Sequence, residues 1–117
     1  MRYLFDDDID SSVSKYINVF NTNKIALMGV ISFPEGMTES CYLILYAYDV
    51  SEGIGGYGFK YKTFEFKPSE ANSDGSLSFC EVVDVEPMNA LEVKMITNYT
   101  TAGVYATVGY EAKEVML

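Results

Sequence analysis

Few residues of this chain have types and spacings that could do chemistry, and each group fails a requirement of the chemistry it suggests. The stretch GIGGYG, residues 53–58, satisfies G-x-G-x-x-G through Gly53, Gly55 and Gly58, the spacing of a dinucleotide-binding loop. Such a loop needs a strand before it, a helix N-terminus after it to offer free N–H groups to a pyrophosphate, and an acid further along. Residues 42–50 supply the strand. After Gly58 comes FKYKTFEF, which alternates with a period of two and has strand composition. There is also no Gly-Lys-Ser/Thr for a phosphate loop. The glycines therefore read as a connection between two strands, where glycine permits positive φ. In DDDIDSS, residues 6–12, Asp6, Asp8 and Asp10 have the first three spacings of an EF-hand loop. The glycine position is Ser11 and the bidentate glutamate position is Ile17, so the decisive ligand is missing. A solvated acidic arm is the simpler reading, with a looser calcium site as its alternative.

The remaining candidates are plainer. Glu81 with Asp84, or Glu52 with Glu65, could pair as glycosidase carboxylates, but a short acidic domain carries such pairs by chance. The chain has no His, which removes the commonest general base, the usual triads and most zinc sites. Cys41 and Cys80 have no third or fourth partner for a structural zinc. They can form one disulfide if neighbouring strands bring them together; reduced, buried thiols are the simpler reading. Asn98-Tyr99-Thr100 is a sequon that reads as a polar turn. Tyr57 and Tyr61 could stack on the apolar faces of sugar rings, or could simply pack on a sheet. The expectation is a chain with no catalytic residue, no cofactor and no metal.

Composition sets the class. At 117 residues the chain is one domain, long enough to bury a core without metals or disulfides. The balance of Tyr, Phe, Val, Ile and Thr leans to β structure. The net charge of −9 argues against nucleic acid, which demands clustered Lys and Arg. Lys60, Lys62 and Lys67, interleaved with Tyr61, Phe64 and Phe66, come nearest to such a cluster. Glu65 and Glu70 dilute it, and it reads as one solvated strand face. The N-terminal MRYLFDDDID lacks the apolar run of about 7–15 residues of a signal peptide. No apolar run approaches the ~20 residues of a membrane span. The expectation is a soluble chain made in a cytoplasm, without nucleic-acid or membrane partners.

Strands must position whatever functions here. Residues 2–5, 15–20, 25–33, 40–50, 59–66, 77–85, 91–95 and 104–110 read as strands, by period two or as short apolar runs bounded by turn residues. Residues 15–20 also fit helical spacing through Val13, Tyr16, Ile17 and Phe20, so at most one helical turn is expected, within residues 10–16. In residues 40–50, Tyr42, Ile44, Tyr46 and Tyr48 line one face and Cys41, Leu43, Leu45 and Ala47 the other, which predicts a central strand covered on both faces or lying under a partner. About eight short, evenly spaced strands predict an all-β fold: a single antiparallel β-sandwich or jelly-roll-like barrel spanning residues 1–117. Residues 1–14 read as a possible N-terminal arm and 111–117 as a C-terminal tail. The predicted core is Ile25, Leu27, Leu43, Leu45, Phe79, Leu91, Val93, Val104, Ala106 and Val108.

The succession SKYINVF, KIALMGVISF, CYLILYAY and ALEVKMITNYTTAGVYATVGYEA, after the opening LFDDDIDSS, resembles the small β-sandwich modules of tailed-bacteriophage virions. These are capsid decoration or auxiliary proteins, head-fibre bases and tail-associated pieces. The closing LEVKMITNYTTAGVYATVGY, taken as a hairpin, carries most of the likeness. The resemblance implies a non-enzymatic structural protein located in the virion. It would dock on other virion proteins or on copies of itself, as a homo-oligomer or bound to a lattice, through edge strands and apolar rims. It implies no active site. The alternative is a small carbohydrate- or cell-surface-binding β-sandwich module. The apolar residues outside the main strand succession, Tyr3, Leu4 and Phe5 at one end and Val115, Met116 and Leu117 at the other, are the candidate partner contacts; the alternative is that residues 2–5 add an edge strand to their own sheet.

Overall fold

Alternation decides the architecture, because a strand that is apolar at every second position must bury one face. The computed structural model describes residues 3–9, 13–19, 21–48, 59–86, 88, 90–97 and 106–115. Eight strands follow in chain order: β1 (Tyr3–Ile9), β2 (Val13–Asn18), β3 (Lys24–Ser32), β4 (Cys41–Tyr48), β5 (Phe59–Phe66), β6 (Ser76–Asp84), β7 (Ala90–Ile96) and β8 (Thr107–Val115). They form two four-stranded sheets, ordered β1-β8-β3-β6 and β2-β7-β4-β5, and every pairing is antiparallel. Only β4 and β5 are consecutive strands paired side by side; every other connection passes from one sheet to the other. This is the order of an eight-stranded jelly roll, the sandwich built from two Greek keys.

The core lies between the sheets. Ile25, Leu27 and Ile31 of β3 and Val108, Tyr110 and Ala112 of β8 enter it from one sheet. Cys41, Leu43, Leu45 and Ala47 of β4 and Leu91, Val93 and Met95 of β7 enter from the other. Phe66 of β5 and Phe79 of β6 close one side, their rings 4.8 Å apart, a separation at which tilted aromatics attract. Every residue of the predicted core is buried except Val104, which lies outside the described residues.

Turn chemistry sets the strand limits. Asn21 takes φ 65° before β3, in the left-handed region that asparagine tolerates. Before β6, Gly75 has φ 86°. Its carbonyl accepts the Phe33 N–H at 2.8 Å, and a Cβ there would lie 2.5 Å from the Phe33 carbonyl oxygen. Asp74 Oδ1 accepts from the Ser76 hydroxyl at 2.6 Å and the Ser76 N–H at 3.0 Å. These bonds hold its carboxyl below the usual carboxylate range.

Four expectations are corrected. Over residues 3–9 the N-terminal stretch is not a free arm but an edge strand of its own sheet, the alternative to the arm: β1 continues through Asp6, Asp7 and Asp8 and pairs with β8, because an edge ladder tolerates polar side chains. The expected helical turn is absent from β2, which is extended and pairs with β7. A single 3-10 turn occupies Pro68–Glu70 instead, where proline fits the first helical position. The tail is mostly strand, since the alternation of Val108 and Tyr110 continues through Ala112 and β8 runs to Val115. β7 and β8 are not a hairpin but lie in different sheets. As expected, β4 is central; within this chain one of its faces is covered, and Tyr42, Ile44, Tyr46 and Tyr48 are half-buried on the outside of the sandwich.

Candidate functional site

Because side chains alternate, the pairing registers define what stands on the outer face of sheet β2-β7-β4-β5. Tyr46 of β4 lies opposite Glu92 of β7 and Lys60 of β5, and Glu92 in turn lies opposite Tyr16 of β2. One rung away, Ile44 lies between Lys94 and Thr63. At the next rung Tyr42 faces Glu65, and at the other end Tyr48 faces Ala90. Tyr16 is 66% exposed, the most open large apolar side chain among the described residues. Its ring centroid is 6.1 Å from that of Tyr48, tilted by 54°, so a pair of rings bridges β2 and β4 over the intervening β7.

Hydrogen bonds fix two carboxylates on this face. Glu92 Oε1 accepts the Tyr48 hydroxyl at 3.0 Å. Glu65 Oε2 accepts the Ser40 hydroxyl at 2.7 Å and the Tyr42 hydroxyl at 3.4 Å. Burial against its neighbours, then the bond to and the charge of Glu92, push the Tyr48 phenol up to about 12. At neutral pH it therefore stays a donor. The face as a whole offers aromatic surface, two fixed acceptors in Glu65 and Glu92, and two ammonium donors in Lys60 and Lys94.

The residues singled out from sequence are scattered. Tyr61 packs against the core beside the bulge that shifts the β4–β5 register between Leu45 and Tyr46, so it is not part of the outer face. The Lys62 ammonium stands 5.6 Å from its ring centroid. Tyr57, Glu52 and the GIGGYG stretch lie outside the described residues, as do Asp10, the sequon, Met116 and Leu117. Glu81 and Asp84 are separated by an odd number of positions on β6, which turns them to opposite faces; Asp84 pairs with Lys24 at 3.7 Å. Asp6 and Asp8 stand in an extended strand, a geometry unlike that of a calcium loop. Cys41 is buried, its Sγ 3.7 Å from the Thr97 carbonyl oxygen, and burial pushes its thiol up to about 12. Cys80 is exposed, which corrects the expectation of two buried thiols, and both are free. They do not face each other: Cys41 points into the core from β4, whereas Cys80 of β6, opposite Met28, stands on the outer face of the other sheet.

Tyr3 and Phe5 pair through their backbones with Lys113 and Ala112 of β8, and Val115 ends β8 opposite Lys24 of β3. The first and last strands, β1 and β8, thus pair in one sheet. The outer face of that sheet carries a second feature. Ala26, Met28 and Val30 of β3 lie beside Val82, Cys80 and Ser78 of β6, and Val30 and Val82 are 45% and 54% exposed.

The four outer tyrosines went unnoticed in the sequence as a group. The alternation of Tyr42, Tyr46 and Tyr48 was visible, but joining Tyr16 and Glu92 to them depends on the order of the sheet.

No protein-family model and no curated protein sequence matches this chain. Solved structures do share its fold. The enzymatically active domain of tailspike protein 4 of bacteriophage CBA120 superposes with a TM-score of 0.57 at 9% identity, over 89% of this chain. The chain spans 14% of that protein. A carbohydrate-binding module specific for non-crystalline cellulose superposes with a TM-score of 0.55 at 9% identity, over 92% of this chain and 69% of the module. At such identities the likeness is one of fold.

Proposed function

We propose that this protein is a non-enzymatic binding module whose ligand is carbohydrate and whose binding surface is the outer face of β2-β7-β4-β5. One observation carries the reading: Tyr16, Tyr42, Tyr46 and Tyr48 share that face, with Glu65 and Lys60 beside the β4 tyrosines on β5 and Glu92 and Lys94 beside them on β7. A sugar ring has an apolar C–H face and a rim of hydroxyls that both donate and accept. Aromatic rings suit the first, and the mixture of Glu65, Glu92, Lys60 and Lys94 suits the second. The shared fold with a cellulose-specific module supports the reading. Affinity electrophoresis in gels containing soluble neutral or acidic polysaccharides tests it. The folded protein is expected to be retarded by at least one polysaccharide, and Tyr46→Ala to lose most of the retardation. Equal mobility in every gel would overturn it.

A second reading has its own observation. The exposed patch around Val30 and Val82, on the opposite side of the sandwich, suits docking on another protein. With the sequence resemblance and the fold shared with a phage tailspike domain, it supports a virion component. Such a component would bind neighbouring virion proteins or further copies of itself. The two readings use opposite faces and are compatible. Cosedimentation with phage particles, abolished by Val82→Glu, is the expected result; unchanged cosedimentation of that variant would sink the patch as the contact.

A further inference from the structure

Resting on the carbohydrate reading, we infer that the tyrosine face takes an extended run of linked sugars lying along β4, rather than a single sugar residue. The floor of the face is one strand deep and uncharged: Tyr42, Ile44, Tyr46 and Tyr48 follow one another on the outer side of β4. At ~3.4 Å per residue this stripe is about 20 Å long, far longer than one sugar ring. Its charged groups stand only at the sides. Glu65 and Lys60 line the β5 side, and Glu92 and Lys94 line the β7 side.

This arrangement sets the direction of the ligand. A chain lying along β4 sets the apolar faces of successive rings on an uncharged floor and turns its ring hydroxyls toward acceptors and donors on both flanks. A chain crossing the sheet would lie over Glu92 between Tyr16 and Tyr46, with an apolar ring face against a charge. The sugars that fit are those whose hydroxyls project outward in the plane of the ring, as in gluco-configured chains with equatorial linkages. Tyr16 widens the floor at the Tyr48 end, where the two rings meet.

Calorimetric titration with glucose, cellobiose, cellotetraose and cellohexaose tests the inference. Affinity is expected to rise with length, by roughly tenfold or more from cellobiose to cellohexaose. Tyr42→Ala and Tyr48→Ala remove opposite ends of the floor. Each is expected to weaken cellohexaose roughly tenfold, the loss typical of a truncated aromatic anchor, and to leave cellobiose much less affected. Tyr42→Phe keeps the ring and is expected to retain most of the affinity. Circular dichroism and melting curves of each variant establish that it is folded. Equal affinity for cellobiose and cellohexaose would overturn the extended-chain inference and leave the carbohydrate reading standing. Absence of binding to any of the four also overturns the inference, and the polysaccharide gels then decide the broader reading.

Discussion

Replacing Gly29 with alanine is the sharpest test of how the two sheets are held. Gly29 sits in the middle of β3, at the inward register of Leu27 and Ile31, between Phe79 of β6 and Tyr110 of β8. A Cβ there would lie 2.3 Å from the Gly109 carbonyl oxygen, 2.7 Å from Tyr110 Cβ and 2.8 Å from Tyr110 Cα. All three are closer than a real Cβ tolerates, and two are backbone atoms that cannot rotate away. β8 cannot retreat easily either, because β1 is paired to its other edge. Overpacking costs roughly 1–3 kcal/mol, occasionally more, and backbone contacts put this site near the upper end. Alanine would return about 0.5–1 kcal/mol, the conformational cost of glycine in a strand. A net loss of about 2 kcal/mol follows. With a urea slope near 1.5 kcal/mol/M for a domain of this size, the midpoint falls by about 1.3 M. Equilibrium urea unfolding followed by circular dichroism measures it, with Val30→Ala on the exposed neighbour as a control expected to stay within about 0.5 kcal/mol. A Gly29→Ala midpoint equal to or above that of the parent would refute the reasoning, since it would mean that β8 yields to a methyl group.

Three further outcomes follow from named groups. Ellman's reagent at pH 8 should find one fast thiol per folded chain, Cys80, and a second only in urea; two fast thiols would mean that β4 opens readily around Cys41. Cys41 and Tyr48 both titrate near 12 when folded, above their ordinary 9.0 and 10.0. The folded state therefore holds their protons more tightly, and their contribution to stability is complete below about pH 9. It is lost as pH rises through 10 toward 12; melting temperature against pH should fall in that window, less so in Cys41→Ala and Tyr48→Phe, and a flat profile would contradict it. Deleting residues 1–5 removes the pairing of Tyr3 and Phe5 with β8 and should lower the melting temperature; an unchanged value would restore the free-arm view of the N-terminus.

Where one strand decides the outcome, the sequence was legible. The alternation of Leu91, Val93 and Met95 with Glu92 and Lys94 identified an inner and an outer face of β7, and the structure keeps both. Likewise, the chain turns at Asp74-Gly75, where aspartate and glycine each have a local physical reason to be. What failed depended on partners distant in sequence. The acidic run of β1 has no strand signature of its own and is extended because β8 offers it an edge. The polar turn after β7 looked like a hairpin, although the chain crosses to the other sheet before β8. The candidate site belongs to the same class. Tyr42, Tyr46 and Tyr48 alternate visibly, but that their face stays outside follows from which side of β4 enters the core between the sheets. Tyr16 joins them only through the order β2-β7-β4.

The edges of the sandwich favour contact through its faces. An exposed strand edge invites pairing with another chain unless something blunts it. Here each of the four edges carries such a feature. β1 has a register shift between Tyr3 and Phe5 and three consecutive aspartates. β5 has the bulge opposite Leu45 and Tyr46, with Lys60 and Lys62 exposed beside it. β6 places Glu81 at the core-facing register of Leu27, half-buried. β2 places Lys15 at the core-facing register of Val93, also half-buried. A strand added to β6 or β2 would enclose that charge further, at a desolvation cost its new hydrogen bonds would have to exceed. Recognition by sheet extension, the mode expected of edge strands, is therefore the least favourable route to a partner. The two outer faces remain: one floored with tyrosines and walled by charged groups, the other apolar around Val30 and Val82. A polyhydroxylated chain suits the first and a protein surface the second, so single substitutions such as Tyr46→Ala and Val82→Glu should separate the two kinds of binding without disturbing the fold.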